Sequence, residues 1–77
     1  MKFKQARIVA LSVLNIKSEQ GHFPDGFVEA MRNRGPTIRQ GTKDSNLIFV
    51  NFPDHTRVLM RKLQAGEEPD LSEVVLE

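Results

Sequence analysis

Asn46-Leu47-Ile48-Phe49-Val50-Asn51-Phe52 is the densest apolar run in the chain. From Leu47 to Val50 every side chain is large and apolar, and three of the four are β-branched or aromatic, which favours a strand. The run is too short for a helix of its own. Being apolar on both faces, it reads as a central strand covered above and below.

The flanks extend this unit. Upstream, Gly41-Thr42-Lys43-Asp44-Ser45 is a cluster of turn formers, and Thr37-Ile38-Arg39-Gln40 before it can pair with the run. Together they predict a hairpin over residues 37–52 with a polar tip and a short, polar edge strand. Downstream, Pro53-Asp54 reads as the opening of a third helix with Asp54 as N-cap. Val58, Leu59 and Leu63 form its buried side, Met60 is filler, Arg61 and Lys62 sit in its last turn, and Gly66 stops it.

Two helices are predicted before the hairpin. Residues 4–19 carry a wide apolar arc, with Ala6, Ala10, Val13 and Leu14 at helical spacing and Phe3 extending the stripe backwards. Gly21 is the stop signal. Pro24 holds Phe23 extended, Asp25 is placed to cap a second helix over residues 26–33, and Phe23 can staple onto Phe27 or Val28. Gly35-Pro36 ends it. The expected core is Phe3, Ala10, Val13, Leu14, Phe27, Met31, Ile48, Val50, Phe52, Leu59 and Leu63.

The fold class that follows is α+β, a small single domain in the order α-α-β-β-α with a β-hairpin packed on helices, loosely similar to a winged helix. Residues 1–66 form the compact domain. Residues 67–77 are an acidic C-terminal tail, in which Asp70-Leu71-Ser72-Glu73 resembles a capping box. The tail either packs back onto the domain or binds a partner.

Size and composition bound the function. At 77 residues the chain buries only about 60% of its unfolded surface, so its stability belongs near the low end of ~5–15 kcal/mol. It has no cysteine, hence no disulfide and no thiolate chemistry. Met1-Lys2-Phe3-Lys4 followed by apolar residues 8–14 superficially resembles a secretory signal, but a small-residue cleavage site is lacking. No run approaches the ~18–20 apolar residues of a membrane span. The expectation is a cytoplasmic protein with no membrane partner.

Catalytic signals are weak. His22 and His55 are the only histidines, and neither belongs to a metal-ligand spacing, so no metal is expected. No serine sits in a nucleophile elbow, and the glycines match neither a dinucleotide nor a phosphate loop. No cofactor and no enzymatic activity are expected.

Charge is segregated along the chain. Residues 1–43 carry eight Lys/Arg against three acids, and residues 44–77 carry three against seven. Residues 32–43 hold four cations and no acid. There, Arg32, Asn33, Arg34, Arg39, Gln40 and Lys43 are the candidate nucleic-acid contacts, because such donors suit phosphates and base edges. A small regulator, for instance of transcription, is the first functional expectation. The alternative is a stoichiometric inhibitor or adaptor of a larger enzyme, binding through Leu71, Glu73, Val74 and Val75 in the acidic, apolar tail. A second copy of the chain is a further candidate partner.

Overall fold

A 17-residue helix, α1 (Phe3–Glu19), and an 8-residue helix, α2 (Phe27–Arg34), precede four strands. These are β1 (Thr37–Gln40), β2 (Leu47–Asn51), β3 (Arg57–Arg61) and β4 (Val75–Leu76), with a 3₁₀ turn over Leu71–Glu73 before the last. The computed structural model describes residues 2–77. The strands form one antiparallel meander in the order β1-β2-β3-β4. The class is α+β, and β2 is an interior strand.

Local signals explain the helix boundaries. The α1 N-terminus is closed by Lys2 N–H donating to Gln5 Oε1 at 3.1 Å. Its C-terminus is a Schellman motif: Gly21, at φ +79°, donates to Ser18 O, and His22 N–H reaches Lys17 O at 2.9 Å. The Phe23 ring then stacks on Phe27, centroids 4.2 Å apart, as a staple into α2. The N-cap of α2 is Gly26 in the left-handed region and not Asp25, because a Pro24–Phe27 turn makes the approach. At the β1–β2 tip, a Cβ on Gly41 would collide with the Asp44 carbonyl oxygen.

The expected third helix is a strand. Pro53-Asp54-His55 is a three-residue hairpin connection, with Phe52 N–H donating to Thr56 O and His55 at φ +74°. That is where a G1-bulge turn usually places glycine. Asp54 caps no helix; its Oδ1 accepts from Thr56 N–H at 3.2 Å. Helical and strand patterns compete in Val58-Leu59-Met60, and β2 decides between them, since pairing with β3 satisfies its second edge. Because non-glycine residues are strained at this φ, His55→Gly is expected to stabilise the fold by about 0.5–1 kcal/mol. A thermal melt should rise by a few degrees, roughly 2–8 °C. A fall would mean that the imidazole makes a contact worth more than the strain.

The core lies between the helices and one face of the sheet. Ala6, Val9, Ala10, Leu14, Val28 and Met31 meet Ile48, Val50, Phe52, Val58 and Met60. Strand alternation therefore selects Val58 and Met60, while Leu59 turns to the opposite face and Leu63, beyond the strand, is half-buried. Phe27 is also half-buried, at the edge of the core. Phe3 is 47% exposed and Ile16 40%. The helices cover one face only; the expectation that β2 would be sheltered on both sides does not hold.

The tail packs back. Arg57 and Glu77 exchange backbone hydrogen bonds at 3.2 and 2.8 Å, Leu76 lies opposite Val58, and Val74 and Leu76 pack on the core.

Candidate functional site

Period-two alternation puts Thr37 and Arg39, then Leu47, Phe49 and Asn51, then Arg57, Leu59 and Arg61, then Val75 on the face away from the helices. The register aligns Arg39, Phe49, Leu59 and Val75 in one row across all four strands. Thr37, Asn51 and Arg57 form the next row, and Leu47 with Arg61 lies on the other side.

Phe49 is the centre of this face. The Arg39 guanidinium carbon sits 4.2 Å from its ring centroid, and that of Arg57 sits 5.5 Å away. Such cation–π contacts are worth about 0.5–1 kcal/mol at exposed sites. Arg57 Nε also donates to Asn51 Oδ1 at 3.0 Å. Arg39 has no salt bridge among the described residues, whereas Arg57 lies 3.6 Å from Glu77 and Arg61 pairs with Glu67 at 2.5 Å and Glu73 at 3.8 Å. Two of the three arginines on this face are thus partly neutralised by the chain's own acidic tail.

A shallow groove of about 290 Å³ runs from this face to the hairpin tip, with Arg39, Lys43, Leu47 and Phe49 among its walls. The tip beside it is braced. Asp44 Oδ1 accepts from Asn46 N–H at 2.9 Å, and the Gln40 amide donates to Ser45 O at 2.6 Å. That volume is at the small end of ligand sites, about right for one nucleotide-sized group.

The fold separates the six candidate nucleic-acid contacts. Arg39 and Lys43 share the groove. Gln40 points to the opposite face of β1 and is engaged in bracing the tip. Arg32, Asn33 and Arg34 belong to α2 in the helical layer, where Arg32 bonds Glu29 at 2.9 Å and its carbonyl accepts from Arg7. The winged-helix comparison gives out here, because the basic end of α2 and the hairpin tip do not form one surface. Phe49, Asn51, Arg57 and Arg61 complete the exposed face. An alternating reading of residues 57–61 is the signal that would have found the two arginines.

Comparison with protein families, with curated proteins and with solved structures found no match. The geometry therefore stands by itself.

The candidate partner residues of the tail also split. Val74 packs on the core and Glu73 faces Arg61, while Leu71 and Val75 are 36% and 50% exposed. Among the described residues no group of three or more His, Asp or Glu is placed to hold a metal ion, and no helix is long and apolar enough to cross a membrane.

Two tail carboxyls titrate below the ordinary range. Glu67 is held down by its bond from Arg61 and then by Gln64 N–H, and Asp70 by the Ser72 hydroxyl and backbone N–H. A lowered folded-state pKa stabilises above the unfolded carboxylate pKa and loses that contribution as pH falls through the folded value. Docking of residues 67–77 is expected to loosen below about pH 4, starting from the ordinary Glu and Asp pKa values. Amide exchange at Leu76 and Glu77 should accelerate in acid before exchange at Ile48 does. Simultaneous loss of protection would show the tail to be no separate latch.

Proposed function

We propose that this chain is a small non-enzymatic regulatory domain that contacts nucleic acid through the open face of its sheet. The observation that carries this is Arg39, which makes no salt bridge among the described residues, lying on Phe49 in a groove it shares with Lys43 and Asp44. A cation pair over an aromatic floor suits a phosphate next to a planar base. Arg39 and Lys43 grip the backbone, and Arg57 with Asn51 stands in the adjacent row.

Binding of labelled single- and double-stranded oligonucleotides at 50 and 200 mM salt tests this. Two to four neutralised phosphates predict roughly 7- to 50-fold weaker binding of a single strand at the higher salt, and about 12- to 150-fold weaker binding of a duplex, from the counterion-release slopes. Arg39→Glu with Lys43→Glu should abolish measurable binding while leaving the thermal melt in place. Binding that ignores salt, or survives both charge reversals, sinks the proposal.

The other reading is an inhibitor or adaptor that docks on a protein through the C-terminal segment. It draws on the exposed Leu71 and Val75, but Val74, Leu76, Glu73 and Glu77 are directed to the chain's own core and arginines. Nucleic acid is the better-supported partner.

A further inference from the structure

We infer that the groove takes a single strand, with one base stacked on Phe49 and the adjoining phosphate between Arg39 and Lys43; this rests on the nucleic-acid reading above. Three observations favour a single strand over a duplex.

The first is shape. A duplex is read by a helix or a two-stranded ribbon inserted into its major groove. The outer face offers neither, because the helices lie on the opposite side of the sheet and β1–β2 is not a free ribbon but part of the four-stranded sheet, its tip a turn braced through Gln40, Ser45, Asp44 and Asn46. A sheet face instead presents side chains at strand spacing to a splayed strand, whose bases are free to lie flat.

The second is the state of Phe49. Its ring is half-buried and carries a guanidinium plane at 4.2 Å. Arg39 and Arg57 lie over the ring and the helices pack on the other face of the sheet, so a base can slide under or replace Arg39 without opening the core. Arg39 released from the ring stays within reach of the phosphate through its long side chain.

The third is the pattern of charge. On the outer face Arg39 is the arginine without a salt bridge among the described residues and shares the groove end with Lys43 and with Asp44, whose Oδ1 accepts from Asn46 N–H, while Arg57 and Arg61 are answered by Glu77, Glu67 and Glu73. A local anion site of that kind fits one or two phosphates of a strand. A duplex backbone demands a broad basic surface. Asn51, its amide oxygen held by Arg57, is the polar group in position to meet a base edge.

The test uses the full chain with an oligothymidine of about ten nucleotides, a length within the known range for single-strand modules, and a duplex of the same length. Anisotropy should show the single strand bound at least 10-fold more tightly than the duplex at equal salt. Phe49→Leu keeps an apolar side chain and removes the ring; it should weaken single-strand binding roughly 5- to 100-fold, the range expected for one stacked base. Duplex binding should change less than twofold. In the unsubstituted protein, Phe49 ring resonances should move upfield on adding the strand, a readout independent of how the variant folds. Equal or tighter duplex binding, or undiminished affinity in Phe49→Leu together with unmoved ring resonances, overturns this inference and leaves the nucleic-acid reading standing. Failure to bind either oligonucleotide overturns both.

Discussion

Ending the chain at Gly66 is expected to remove about 3–5 kcal/mol of stability and to lower the midpoint of the cooperative melt accordingly. The segment lost includes β4 and the 3₁₀ turn, with Val74 and Leu76 packed against the core. Full burial of such a side chain is worth about 1.5–3 kcal/mol, and these two are half-buried. The Arg57–Glu77 backbone pair adds hydrogen bonds worth about 1 kcal/mol each. Without the tail, β3 becomes a bare edge, and Val58 and Met60, now almost fully buried, lose part of their cover. For a domain of this size that loss is a large share of roughly 5–15 kcal/mol. Differential scanning calorimetry of the two chains decides it. A truncated protein melting within 3 °C of the full one, against an expected fall of at least ~12 °C, would show the last residues to be an appendage.

Ile48→Ala is the second large effect. Ile48 is 1% exposed, flanked in the sheet by Gln40 and Met60 and covered by the helices. Deleting a buried isoleucine to alanine costs about 2–5 kcal/mol, transfer and cavity together. Leu59→Ala is the informative control, because Leu59 is also on a central part of the sheet but on the open face, half-buried. It should cost about half as much or less, since less apolar area leaves water and solvent fills the gap. Denaturant midpoints at matched slope provide the comparison. Equal costs at the two positions would mean that something covers the outer face and that the proposed binding surface is not open.

The two substitutions also separate stability from binding. Ile48→Ala acts on the side of the sheet away from Arg39 and Phe49, so its remaining folded fraction should bind nucleic acid normally. Truncation at Gly66 frees Arg57 and Arg61 from Glu77, Glu67 and Glu73. Whatever part of the truncated chain stays folded should therefore bind more tightly at low salt, because two arginines lose the carboxylates that offset their charge.

What was legible in the residues alone is what local backbone chemistry controls. Gly21 and Gly35 end helices because they accept positive φ, Phe23 and Phe27 stack because they flank a helix start, and Leu47–Asn51 is extended because its side chains favour a pleat. Those choices are made within a few positions of each residue. The tertiary structure decided the rest. Residues 57–61 carry both helical and alternating patterns, and the strand wins because β2 has a second edge whose backbone groups need partners, a condition set by residues ten positions away. From that one pairing follow the inward turn of Val58 and Met60, the outward turn of Leu59, and the arrival of Arg57 beside the Arg39–Phe49 pair that the β1–β2 register makes. The groove from Arg39 to Phe49 lies within the hairpin, but Asn51's partner Arg57 and the rest of the open face come from strands that no reading of the hairpin alone contains.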